Sequence, residues 1–134
     1  MNSDLNRSLG DELYKALSDR TTVRPLTERY PDITINDSYQ IAQRMIDCRV
    51  AAGEHIIGKK IGLTSAAVQN MLGVDEPDFG FLTNAMAYSE GQEMPISEKL
   101  IQPRAEGEIA FILKKDLLGP GITAADVITA TECV

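Results

Sequence analysis

Leucine recurs every fourth residue at Leu5, Leu9, Leu13 and Leu17, and an α-helix is the backbone that brings all four to one side. Tyr14 and Ala16 widen the stripe, so residues 4–19 are expected to form an amphipathic helix with that face packed inward. Gly10 interrupts it at a cost of about 1 kcal/mol against Ala, and Pro25 closes the linker that follows. A second helix is expected beyond Asn36 as its cap, with Tyr39, Ala42, Met45, Ile46 and Val50 as its apolar face and Gly53 as its stop. Residues 1–55 thus read as a helical N-terminal layer.

At 134 residues, with 43% hydrophobic and 25% charged side chains, the chain has apolar material for one domain with a core. A formal net charge of −7 and a pI of about 4.6 remove the electrostatic footprint of a nucleic-acid or anionic-membrane partner, leaving small molecules and proteins. Cys48 and Cys133 lack CxxC spacing and read as inert packing thiols. With no basic-then-apolar leader at the N-terminus, they point to a thiol-reduced, cytoplasmic setting. No apolar run approaches membrane-spanning length. His55 is the single histidine; it rules out multi-histidine zinc sites and reads as a surface residue.

From Ile56 the pattern changes. Ile56-Ile57-Gly58-Lys59-Lys60-Ile61-Gly62-Leu63 is short, β-rich and glycine-punctuated, and Thr64 or Ser65 is placed to cap a brief helix ending at Leu72-Gly73. Such a strand-to-helix junction presents free backbone N–H groups, which suit a substrate carboxylate. Strand alternation puts Lys60 on one face with Gly58 and Gly62, leaving its amine open to approach, while Lys59 points oppositely with Ile57 and Ile61. A solvated surface lysine is the plain alternative. Asp75-Glu76-Pro77-Asp78-Phe79-Gly80-Phe81-Leu82 reads as a turn leading into a short strand, with acids that solvate the loop.

Farther on, Arg104-Ala105-Glu106-Gly107-Glu108-Ile109-Ala110-Phe111 sets two carboxylates two residues apart at the head of an apolar run. Residues 109–113 read as a buried strand, so Glu106 and Glu108 share a face that continues as Ala110 and Ile112. Three readings of the pair stay open: a solvated outer face, ion pairing with Arg104, or two oxygen ligands for a hard cation such as Mg²⁺ or Mn²⁺. Gly107 between them favours a close backbone approach, a bulge or a ligand. Residues 123–134 begin like a Thr-capped helix and stop without a polar tail, so the chain is expected to be the N-terminal part of a longer protein.

Three segments, Gly58-Lys59-Lys60-Ile61-Gly62-Leu63-Thr64-Ser65, Leu72-Gly73-Val74-Asp75-Glu76-Pro77-Asp78-Phe79-Gly80 and Gln102 through Phe111, resemble in order and spacing the 2-hydroxypenta-2,4-dienoate (2-oxopent-4-enoate) hydratases. These belong to the hydratase and decarboxylase branch of the fumarylacetoacetate hydrolase superfamily. The resemblance runs over essentially the whole chain. It implies an α+β fold: the helical layer of residues 1–55, then in residues 56–134 the first part of a catalytic domain that begins a mixed β-sheet, with the C-terminal β region missing. It further implies a metal-dependent hydratase of the meta-cleavage catabolism of aromatic compounds. Glu106 and Glu108 correspond to two of three carboxylate ligands for Mg²⁺ or Mn²⁺, the third being an Asp expected beyond Val134. Lys60 corresponds to the active-site lysine, Asp78 to a residue that orders water or closes the pocket, and Leu63, Thr64, Ser65 and Phe79 to substrate-binding positions. The sister 4-oxalocrotonate decarboxylase shares these elements and is the alternative; an inactive piece serving in oligomerisation or partner binding is another. Homo-oligomers and association with that decarboxylase are the partners implied.

Overall fold

Asn2 starts the first helix, its side-chain oxygen accepting from the backbone N–H groups of Asp4 and Leu5, and α1 runs Ser3–Asp19 as the leucine spacing requires. In this computed structural model, which describes residues 2–134, a short α2 (Leu26–Arg29) follows, then α3 (Ile35–Ala51). Asn36 is not the cap of α3. Thr34 is, in a reciprocal capping box with Asp37, because Asp37 stands three residues on and can return a hydrogen bond to the Thr34 N–H. Gly53 sits just past the helix end in the left-handed region, at φ 100°.

Helices α1 and α3 pack against each other around Leu9, Ile41 and Ile46, all buried. Gly10 has a reason to be glycine here. A methyl group in its place would lie 2.6 Å from Arg44 Cβ and 2.8 Å from the Ile41 carbonyl oxygen, so the helices approach as closely as they do because nothing projects there. The expected apolar face of α3 is partly corrected: Ile46 is buried, but Val50 is exposed, and the buried side is completed by Ile41 and the polar Asp37. Asn6 is buried too and donates to Asp37 Oδ1 and Gln40 Oε1, both at 2.9 Å.

After α3 come β1 (Ile56–Gly62), α4 (Ala66–Leu72) and β2 (Asp78–Thr83), the two strands pairing antiparallel with Lys60 opposite Gly80 and Gly62 opposite Asp78. Glu54 fastens this ladder to the end of α3, accepting from Arg49 Nε at 2.9 Å and from the buried Thr83 hydroxyl. A 3₁₀ turn (Asn84–Met86) and a short α5 (Ile96–Lys99) follow.

The chain divides into two compact units, Met1–Gln102 and Pro103–Val134. The second contains β3 (Ile112–Leu113), α6 (Ala124–Ala130, capped by Thr123 in a box with Asp126) and β4 (Thr131–Cys133), which pairs antiparallel with β3. The helix expected at the chain's end therefore gives way to a strand after about two turns, and Cys133 is exposed rather than packed. Residues 109–113 do not form a buried strand: only Ile112 and Leu113 are paired, and Ile109 is 76% and Phe111 55% exposed. The physical reason lies within the unit, where the ladder is two strands wide and the sole buried hydrophobic side chain is that of Ala130, so the apolar run has no layer to pack on. The architecture is α+β, with both ladders antiparallel. Among the described residues no helix is long and apolar enough to cross a membrane.

Candidate active site

Pairing of β1 with β2 builds one face from Gly58, Lys60, Gly62, Asp78, Gly80 and Leu82, because residues opposite each other in an antiparallel ladder share a face and alternate residues along each strand return to it. Lys60 Nζ and Asp78 Oδ1 meet across that face at 3.7 Å. Three glycines surround the pair, and two of them make room for it. A methyl group at Gly62 would lie 2.5 Å from Asp78 Oδ1 and 2.8 Å from Lys60 Nζ, and one at Gly80 would touch Lys60 Cδ at 3.4 Å.

Stability does not explain this arrangement. Both side chains are about half exposed, at 47% and 54%, and such a pair contributes about 0–1 kcal/mol. Each strand glycine costs roughly 0.5–1 kcal/mol against Ala, so two of them offset whatever the pair contributes. A cation and a carboxylate held open on a cleared strand face suit binding and proton chemistry better than structure.

At the end of β1 the chain turns sharply. Leu63 has φ 57°, a left-handed conformation that costs a residue with a Cβ roughly 1–2 kcal/mol. Its carbonyl oxygen accepts from Gln69 Nε2 at 2.6 Å. Ser65 Oγ caps α4 by accepting from the Val68 N–H at 3.3 Å, and Gly73 ends that helix at φ 69°, as the sequence pattern requires. Thr64, between them, is exposed.

Phe79 lies on the other face of the ladder, opposite Ile61, and stacks on Tyr39 of α3 with ring centroids 4.5 Å apart. It is thus separated from the Lys60 face by the ladder itself. Neither the Tyr39 stack nor the Gln69 bond was visible in the sequence: the Gln69 amide reaches back to Leu63 only because the chain turns left-handed there, and Tyr39 meets Phe79 from far along the chain, a separation that leaves no periodicity. Glu54 was missed for the same reason. Burial pushes its carboxyl up, but hydrogen bonds from Thr83 and Arg49 outweigh this and hold it below the usual value.

Glu106 and Glu108 lie in the second unit, both exposed, on a stretch that carries no strand pairing. No ion pair joins either of them to Arg104 among the described residues. As donors they are two hard carboxylates, which fits Mg²⁺-like cations. No group of three His, Cys, Asp or Glu residues that could hold a metal ion is gathered at one point among the described residues.

No family model matches the chain. It is 67% identical over all 134 residues to a 2-hydroxypent-2,4-dienoate hydratase of Pseudomonas putida, covering 60% of that protein. It is 55% identical over 126 residues to a 2-hydroxyhexa-2,4-dienoate hydratase of Comamonas testosteroni, covering 48% of it. Among solved structures it superposes with a TM-score of 0.88 and 31% identity on 4-oxalocrotonate decarboxylase from Pseudomonas putida G7 complexed with magnesium and adipate, over 98% of this chain and 49% of that one. The same decarboxylase complexed with calcium and acetate matches equally, at a TM-score of 0.88. The chain spans about half the length of the curated relatives it matches.

Proposed function

We propose that the chain belongs with the 2-hydroxydienoate hydratases and contributes the Lys60–Asp78 face and the Glu106–Glu108 ligands to an enzyme that hydrates 2-hydroxypenta-2,4-dienoate. The observation that carries this reading is the 67% identity over the full 134 residues. The product is 4-hydroxy-2-oxopentanoate. The dienol takes a proton at C5 to become the 2-oxo-3-enoate, and water then adds its hydroxyl to C4 while C3 gains a proton.

In both steps negative charge gathers on the oxygen at C2. The Lys60 ammonium offers a cation and N–H donors to that oxygen, a contact that strengthens as the charge develops and so lowers the barrier rather than merely binding substrate. Asp78 orients the ammonium across the ladder and presents its carboxylate to the incoming water. Leu63, Thr64 and Ser65 contact the substrate from the turn beside Lys60. Phe79 acts from the opposite face, supporting β2 through its stack on Tyr39. Glu106 and Glu108 would hold a divalent cation, Mg²⁺ or Mn²⁺, which when bound would supply Lewis acidity. The magnesium and calcium complexes of the decarboxylase neighbour support a divalent ion. Homo-oligomers, association with a decarboxylase and a cytoplasmic location belong to the same proposal.

Turnover of 2-hydroxypentadienoate by the protein with added Mg²⁺ is the test. Lys60→Ala should lower kcat by about a hundredfold or more. Glu106→Ala and Glu108→Ala should each weaken Mg²⁺ binding in calorimetry and abolish the metal dependence of the rate. Near-normal metal-dependent turnover in the Glu variants would remove the ligand assignment. The decarboxylase neighbour supports a second reading, distinguished by whether CO₂ is released from 2-oxohex-3-enedioate.

A further inference from the structure

Leu63 occupies a left-handed position that glycine would fill without cost, although Gly62 stands directly before it. Something other than local preference holds it there. Gln69 does so by folding its side-chain amide back to the Leu63 carbonyl oxygen at 2.6 Å. The same residue closes the other end of α4, its backbone carbonyl accepting from the Val74 N–H at 3.0 Å just beyond Gly73. One half-buried residue thus ties the entry and the exit of this short helix together.

The turn it holds is adjacent to the reactive face. Lys60 Nζ lies over Gly62, 2.8 Å from where a methyl group would stand, so the left-handed turn at Leu63 redirects the chain one residue past the ammonium and sets the course of Thr64 and Ser65. We propose that Gln69 is the positioning residue of this site, holding the Leu63–Ser65 turn in its substrate-receiving shape through its bond to the Leu63 carbonyl. The inference rests on the hydratase reading of that face.

Three variants test it in the full-length protein, read by steady-state kinetics on 2-hydroxypentadienoate and by amide hydrogen exchange at Thr64 and Ser65. Gln69→Ala should raise KM about tenfold, keep kcat within about twofold and speed exchange at both amides about tenfold, the scale of one ordinary hydrogen bond. Adding Leu63→Gly to Gln69→Ala should return exchange at both amides to within about threefold of wild type, because glycine adopts the turn unaided; KM is not the readout for this variant, since it also removes the Leu63 side chain. Gln69→Glu keeps the shape but loses the donor when ionised, so its KM should match that of the Ala variant at pH 8 and fall below it towards pH 4, under the ordinary carboxyl pKa of about 4.3, where a protonated carboxyl donates again. Unchanged KM and exchange in Gln69→Ala would overturn the proposal, as would fast exchange that Leu63→Gly does not slow or a Gln69→Glu profile flat between pH 8 and pH 4. If wild type shows no hydratase turnover, the reading of function fails while the exchange measurements still decide whether Gln69 holds the turn.

Discussion

Gly62 carries more of the site than its size suggests. A methyl group there would sit 2.5 Å from Asp78 Oδ1, so Gly62→Ala must push the carboxylate or the Lys60 ammonium aside. Both are the far ends of flexible side chains, so the fold should tolerate the change, with stability altered by no more than about 1 kcal/mol. Under the proposed hydratase function, catalysis should not tolerate it, since a misplacement of about 1 Å costs on the order of a hundredfold in rate. Thermal melts beside kinetics on 2-hydroxypentadienoate check the split; equal turnover in the variant would show that the pair's placement is immaterial. The sequence alone showed that Lys60 shares a face with two glycines. It did not show what the glycines make room for, because Asp78 arrives from another strand.

Among the elements, the junction of α1 and α3 and the anchoring of β2 to α3 invite separate tests. Gly10→Ala gains about 1 kcal/mol in helix propensity, yet its methyl would meet the Ile41 carbonyl oxygen at 2.8 Å, and backbone cannot step aside. Overpacking of this kind costs roughly 1–3 kcal/mol, so the variant should be destabilised in urea denaturation despite the better helix former. Glu54 gives a pH dependence. Its carboxyl is depressed in the folded state relative to its usual value, so its hydrogen bonds from Thr83 and Arg49 stabilise the protein above the unfolded carboxyl pKa of about 4.3 and are lost as pH falls through the lower folded value. Glu54→Gln should therefore cost about 1–3 kcal/mol at pH 7, and the gap between variant and wild type should close in acid. A gap that persists at pH 3 would mean that packing, not charge, joins Thr83 to Arg49.

At the level of the whole molecule, the two units differ in what they bury. Residues before 103 contain the helix pair with Leu9, Ile41 and Ile46, whereas Pro103–Val134 buries Ala130 and pairs short strands. Hydrogen exchange should follow that difference, with amides of β3 and β4 exchanging well before those of the α1 and α3 centres. Comparable protection in both units would show order in the second that its own packing does not account for. Helices α1, α3 and α4, a cap at Thr64 or Ser65, the Thr123 cap, the Gly73 stop and the lysine–glycine face were legible in the sequence, because each depends on residues within a few positions of one another and follows from backbone geometry. The tertiary structure decided the rest: which acid meets Lys60, why residue 10 is glycine, why Phe79 stacks on Tyr39, and why Leu63 can hold a left-handed turn. It also decided against a buried strand at residues 109–113, because an apolar run shows how much surface can be buried but not whether a layer stands ready to cover it.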